Sequence, residues 1–264
     1  MQCTKCAEVC AQRTAARRSV NASPLKTFDW EPATMSKAIQ RFIERLAALR
    51  QDNVFNPYGE RCPLNDRQDA VAIRRRNLEV YLSATIENGI DTVWFGRDLG
   101  YRGGRRTGVA LTDEAHLPVL AKLLGSKLIQ QATEGEAVAE RTATVVWGMV
   151  FEIKQLPFFW NTFPFHPFES GDPMSNRAHT RSELRKVWDL NLELLDILQP
   201  QKLVAIGNDA HQALSREGLE CEYVRHPSYG GQADFVAGLR RIHGLDRGDH
   251  RSSAGYGQQS LAFA

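Results

Sequence analysis

Three short segments, in one order, carry the side chains whose types and spacing can do chemistry. The first is Gly96-Arg97-Asp98-Leu99-Gly100, running on through Tyr101-Arg102-Gly103-Gly104-Arg105-Arg106-Thr107-Gly108. The second is Phe158-Phe159-Trp160-Asn161-Thr162, and the third is Arg225-His226-Pro227-Ser228-Tyr229-Gly230-Gly231. An acid, an amide and an imidazole thus stand at the ends of three apolar, strand-like runs. Open α/β sheets bind ligands at the carboxyl ends of their strands, so one shared pocket is the economical reading. A carboxylate in such a pocket can hold a water, an amide can donate and accept along a polar edge, and an imidazole can stabilise developing negative charge.

The elements that must position these residues follow from periodicity and breakers. Ile39, Phe42, Ile43, Leu46 and Leu49 recur at helical spacing after Ser36, which predicts an amphipathic helix beginning near Met35. A turn is expected over residues 56–59 and a long helix over 66–88, broken at Gly89. Strands are expected over 92–96, 158–162, 202–206 and 220–224. Helices are expected over 113–128, 181–198, 209–217 and 233–243. Residues 131–141 are polar and read as a loop, and 164–176, with three Pro and a Gly, reads as irregular. Residues 142–153 stay ambiguous between strand and helix, being β-branched yet flanked by helix formers. The alternation of strands and helices predicts an α/β fold: a three-layer α/β/α sandwich on a central, mainly parallel four-stranded sheet.

A chain of 264 residues can bury a full core. Residues 35–244 are expected to form a single domain, with disordered segments at 1–34 and 245–264. Residues 1–34 also have a mild transit-peptide look, and a start at Met35 is a third reading. The longest uncharged apolar run, residues 145–151, is far too short to span a bilayer, so no membrane partner is expected. No apolar stretch of the secretory kind follows the N-terminus.

Net charge is only +2, from 33 basic and 31 acidic residues, so any affinity for nucleic acid has to come from a local patch. Arg97, Arg102, Arg105 and Arg106 lie among glycines, with no acid between Asp98 and Asp113. Two readings of that patch stand side by side, a solvated loop and a phosphate grip, and the second is favoured. Cys3, Cys6 and Cys10 crowd the N-terminus at metal-ligand-like spacing, but no fourth thiol lies near, so neither a cluster nor any other metal or cofactor is expected. No Gly-Lys-Ser/Thr follows the glycines, the spacing is not Gly-x-Gly-x-x-Gly, and no Gly-x-Ser-x-Gly elbow is present. Phosphate-loop, dinucleotide and serine-hydrolase readings therefore lack support.

Taken together, the three segments resemble the signature motifs of the uracil-DNA glycosylase superfamily, in the same order, across roughly residues 90–240. Asp98 resembles the Asp of branches with an acid in the third place of the first motif, with Arg97 and Leu99 where relatives carry other residues. The resemblance implies a bacterial branch without an iron–sulfur cluster. It also implies a monofunctional glycosylase that hydrolyses the N-glycosidic bond of uracil in DNA and leaves an abasic site for base excision repair. Asp98 would hold the attacking water and stabilise the sugar cation, and His226 would stabilise the charge on the departing base. Asn161 would read the edge of the flipped-out uracil, with Gly96, Tyr101, Leu111 and Phe159 around it. Leu111 stands where the superfamily has a base-stacking Phe, so stacking falls to Tyr101 or Phe159, or gives way to aliphatic contact. Arg102, Arg105, Arg106, Ser228, Tyr229 and Gly230 would contact DNA, with Tyr229 as the wedge that fills the gap left by the base.

Asn176-Arg177, followed by Thr180 and Glu183, is similar to a common loop of the superfamily. His179 within it is expected to be solvent-exposed, with covalent capture of the sugar as a remote alternative. The implied partner is uracil-containing DNA, single- or double-stranded, bound by a monomer in the bacterial cytoplasm. Action on another deaminated base such as hypoxanthine or xanthine, or binding to uracil-DNA without excision, are the competing functions.

Overall fold

The computed structural model describes residues 32–245. Expectations for residues 1–31 and 246–264, including the N-terminal cysteines, lie outside the described residues. Helix α1 (Pro32–Ala48) buries Ile39, Phe42, Ile43 and Leu46, the stripe expected from the spacing. A two-residue strand β1 (Val54–Phe55) follows, then helix α2 (Ala70–Glu87). Helix α2 starts later than residue 66 because the Asp66 carboxylate is used in a turn. It accepts from the Cys62 backbone N–H and from the Arg74 guanidinium, each at 2.8 Å.

Strand β2 (Thr92–Gly96) leads through the glycine-rich loop and a single helical turn, α3 (Gly104–Thr107), to a short 3-10 turn and helix α4 (Leu117–Leu123). The helical stretch there ends well before residue 128, at Gly125 with φ +61°. Residues 142–153 resolve as helix α5 (Arg141–Ile153), with Ala143, Val146, Trp147 and Val150 buried at helical spacing. Strand β3 (Phe158–Asn161) follows. The segment expected to be irregular holds a short strand, β4 (His166–Pro167), which pairs antiparallel with β1. The expected helix over 181–198 is two, α6 (Arg181–Arg185) and α7 (Trp188–Leu198). Lys186 and Val187 donate to Glu183 and Leu184 three residues back, which tightens the turn and separates them. Strand β5 (Lys202–Ile206), helix α8 (Asn208–Arg216), strand β6 (Glu222–Val224) and helix α9 (Gln232–Ile242) complete the order.

The central sheet has the order β3-β2-β5-β6, and every neighbouring pair is parallel. Both faces are covered, as a parallel sheet requires. Side chains alternate across β3: Phe158 and Trp160 meet Tyr81 of α2 and Phe42 of α1, while Phe159 meets Trp147 of α5. Trp94 of β2, level with Phe159 in the register, meets Phe235 of α9. The chain therefore leaves β2 toward the α5 face and leaves β3 toward the α1/α2/α7 face. Such a divergence opens a crevice at the carboxyl end of β2, where Gly96 and Asp98 stand.

Candidate active site

Two strands bring the acid and the amide side by side. Gly96 and Asn161 are partners in the parallel register of β2 and β3. The pairing continues beyond the strands: Thr162 N–H donates to the Gly96 carbonyl at 3.0 Å, Phe163 N–H to Arg97 at 2.9 Å, and Leu99 N–H to Phe165 at 3.0 Å. Asp98 is thus held between two hydrogen-bonded residues, which fixes its backbone.

Asn161 is buried, and its Oδ1 accepts no hydrogen bond from any described residue. A buried amide oxygen without a partner costs free energy of order 1–3 kcal/mol, so its vacancy calls for a donor from outside the protein. Gly96 leaves the space in front of it: a Cβ there would lie 2.3 Å from Asn161 Oδ1 and 3.3 Å from Leu111 Cδ2. Leu111 therefore belongs to the same pocket wall. It is held there with φ +53°, an uncommon conformation for a leucine. The preceding turn is pinned from outside. Asn77 Nδ2 donates to the Thr107 carbonyl at 2.8 Å and Tyr58 Oη to that of Gly108 at 3.0 Å, while Gly108 sits so close to Arg74 that a Cβ would meet it at 2.7 Å.

His226 reaches the same crevice from the loop after β6. Gly207, which ends β5, packs beneath it, and a Cβ on Gly207 would be 3.2 Å from His226 Cβ. Ser228 N–H donates to His226 Nδ1 at 3.2 Å. Nδ1 is therefore the acceptor and the ring proton sits on Nε2, free to donate. Burial, helped by the cationic charge of Arg97 and opposed by Asp98 and Asp209, holds this imidazole below its ordinary pKa. It is neutral at neutral pH.

Around Asp98 the structure corrects the sequence reading twice. The Arg97 guanidinium, expected in a phosphate patch, is only partly exposed and is engaged by two carboxylates: Nε donates to Asp98 Oδ2 at 2.9 Å and NH1 to Asp209 Oδ2 at 3.0 Å. His179, expected to be exposed, keeps only 9% of its side-chain surface, stacks on Phe163 at 5.0 Å and approaches Asp98 Oδ2 to 3.3 Å through Nδ1. The link between positions 98 and 179 spans 81 residues and had no local sequence signal.

Three further expectations change. Arg105 is 5% exposed, lies over the Phe55 ring at 4.2 Å, and donates to His166 Nδ1 and the Pro173 carbonyl. Arg106 pairs with buried Glu114 at 2.9 Å and donates to Thr133. Both guanidiniums face inward because burying them with these acceptors costs less than leaving the acceptors unpaired. Phe159 lies in the core between Trp94, Trp147 and Tyr81, two residues inside the strand end at Asn161. Tyr101 is half-buried, and its backbone N–H donates to Asn176 Oδ1 at 3.0 Å. Asn176 also accepts from His166, so its loop serves as a brace for the glycine-rich loop after β2. Arg177 completes the brace in a bidentate pair with Glu183, which closes a capping box with Thr180.

Arg102 stays exposed, and Arg141, which the sequence reading missed, is exposed across a groove from Ser228, Tyr229 and Gly230. Tyr229 is fully exposed with φ +52°, followed by Gly230 at φ +76°. The left-handed pair turns the aromatic ring out of the surface. Among the described residues no group of three or more His, Cys, Asp or Glu is arranged to hold a metal ion. No helix among them is long and apolar enough to cross a membrane.

Fold and site together define an α/β protein in which a carboxylate, an unpartnered amide and a neutral imidazole meet at the carboxyl end of a parallel sheet. Among solved structures it is similar to that of wild-type SMUG2 from Pedobacter heparinus, with a TM-score of 0.55 over 83% of this chain and 99% of that one. Sequence identity is 12%, so the likeness is one of fold, and the fold is the α/β sandwich on a parallel four-stranded sheet expected from the sequence. No family model and no curated protein matches the chain.

Proposed function

We propose that the protein is a DNA glycosylase that removes uracil from DNA, with Asp98, Asn161 and His226 as the working side chains. The observation that carries this reading is the buried, unpartnered Oδ1 of Asn161 beside Gly96. A uracil edge supplies an N3–H donor for that oxygen and an O4 acceptor for the Nδ2 protons, whereas the corresponding edge of cytosine offers the opposite pattern. Cleavage breaks the C1′–N1 bond and leaves its electron pair on the base, where His226 Nε2–H can donate to O2. The oxygen of a water held by Asp98 bonds to C1′, and the water's proton passes to the carboxylate. Asp98 also stabilises the cationic sugar while that bond is breaking.

Exposed Arg102 and Arg141 and the outward ring of Tyr229 suit a bound strand with its target base turned out of the stack. Leu111 favours a second reading for base range. An aliphatic wall discriminates less by ring shape than a stacked aromatic ring, so hypoxanthine and xanthine are the alternatives to test.

The test is alkali-developed cleavage of labelled oligonucleotides holding one uracil, hypoxanthine, xanthine or mismatched thymine, with wild type and Asp98→Asn. Cleavage at uracil that is lost in the variant, with DNA binding kept, supports the reading. Cleavage only at a purine lesion transfers the site to that base. Tight binding with no abasic product, unchanged in the variant, makes the protein a binder and overturns catalysis.

A further inference from the structure

Three donors converge on a single oxygen of Asp98. Arg97 Nε–H reaches Oδ2 at 2.9 Å, the His179 backbone N–H at 3.3 Å and His179 Nδ1 at 3.3 Å. Among the described residues none donates to Oδ1. The Asp98 side chain is 10% exposed, so it is open to a small molecule but not bathed in solvent.

We propose that Arg97 and His179 are positioning residues that clamp Oδ2 of Asp98 and so dedicate Oδ1 to the reacting water. The inference rests on the glycosylase reading for the identity of the reaction. The clamp itself is a statement about the resting protein and has its own readout.

A free carboxylate rotates about its Cβ–Cγ bond and exchanges its two oxygens. Donors on one oxygen alone stop that exchange, and a general base pre-aimed in this way spends no free energy on orientation during the reaction. Each clamp member is itself held. Arg97 is anchored at its other end by Asp209, in the first turn of α8. The His179 ring lies on Phe163, 28° from parallel, and Phe163 N–H is bonded to the Arg97 carbonyl. The clamp thus draws on the β2 loop, the segment after β3, the loop before α6, and α8. An ionised carboxylate can only accept, which assigns the His179 proton to Nδ1. A neutral imidazole without such a partner has no reason to hold that tautomer.

The first measurement needs no substrate. The ring-nitrogen NMR signals of His179 are recorded at about pH 8, above the ordinary imidazole range, in wild type and in Asp98→Asn. The expected result is a proton on Nδ1 in wild type, and a changed tautomer balance in the variant, whose neutral amide accepts more weakly. An Nε2–H tautomer in wild type, or signals indifferent to the Asp98 change, overturns the clamp whether or not the protein excises uracil.

The second measurement is single-turnover excision by His179→Phe, which keeps an aromatic ring on Phe163 and removes the donor, and by His179→Asn, which keeps a donor near the Nδ1 position. The Phe variant is expected to lose about tenfold in rate, the scale of one charge-assisted hydrogen bond, with DNA binding unchanged. The Asn variant is expected to recover most of that loss. In an Asp98→Asn background the Phe change is expected to cost nothing more, because its effect runs through Asp98. An equal loss in that background, or a denaturant-resistant protein–DNA band from wild type that vanishes in the Phe variant, overturns the positioning role. If wild type excises no base at all, the glycosylase reading fails while the NMR result still decides the clamp.

Discussion

A β-carbon on Gly96 would lie 2.3 Å from Oδ1 of Asn161, its partner in the parallel register of β2 and β3. The glycine is what lets a strand end carry an open amide. Gly96→Ala should push the Asn161 amide out of place and lower excision about 100-fold, the usual effect of a misplacement near 1 Å. Overpacking should cost about 1–3 kcal/mol of stability. Single-turnover rates with urea melts separate the two effects. A folded variant with wild-type rate would remove Asn161 from base reading.

His226 gives a pH prediction of definite sign. Burial, assisted by Arg97, lowers its pKa, so the ring takes up its proton only below the ordinary imidazole value near 6.5. Excision should therefore show no His226 inflection with its midpoint at or above about pH 6.5. His226→Gln should lower the rate about 100- to 1,000-fold with binding retained. An inflection near 6.5 that disappears in that variant would mean the ring titrates normally and would contradict the neutral-donor role.

The arginines around the site should separate cleanly. Arg102 and Arg141 are exposed, and changing either to Ala should weaken DNA binding and reduce the slope of log affinity against log salt by about 1. Arg105→Ala should leave that slope alone. It strands the Pro173 carbonyl and removes the cover over Phe55, and should cost about 2 kcal/mol or more in stability. Equilibrium binding at several salt concentrations and urea unfolding would reveal the opposite pattern if Arg105 were a phosphate contact.

His166 links pH to stability. Burial, reinforced by the Arg105 cation, pushes its pKa down to about 4, while the unfolded chain binds a proton near 6.5. Its contribution is fully present above the unfolded value and is lost as pH falls from there toward 4. The whole shift corresponds to about 3 kcal/mol. Urea unfolding of wild type at pH 7.5 and at pH 5 should show about 2 kcal/mol of this loss. His166→Gln, which cannot titrate, should flatten the dependence, and an equally steep loss in the variant would assign it to other groups.

Much of the fold was legible because it rests on local patterns. The stripe Ile39, Phe42, Ile43 and Leu46 specifies one amphipathic helix. The apolar runs at 92–96 and 202–206 coincide with strands β2 and β5 because a parallel strand buried on both faces must be apolar throughout. The order of Asp98, Asn161 and His226 along the chain, each at a strand end, was enough to expect one pocket in an α/β sandwich.

Tertiary structure decided what each charged side chain meets, since a guanidinium or an imidazole is compatible with solvent, phosphate or a buried acceptor alike. Arg105 and Arg106 turn inward because His166 and Pro173, from elements distant in sequence, and Glu114, from the next turn of chain, need donors. Phe159 goes to the core because it lies within the strand, packed against Trp94 and Trp147, while Asn161, two residues on, ends the strand beside Gly96. His179 is drawn from its loop to Asp98 by Phe163 and by the carboxylate itself, across 81 residues. The sequence by itself determined which groups were available and at which strand ends they stand. Only the packed chain decided that one oxygen of Asp98 is held by three donors, that Asn161 keeps an acceptor without a partner, and that the His226 proton sits on Nε2. The hold of His179 on Asp98 and the open Asn161 acceptor depend on distant segments meeting, the His226 tautomer depends on how the chain turns at Ser228, and no apolar pattern encodes any of them.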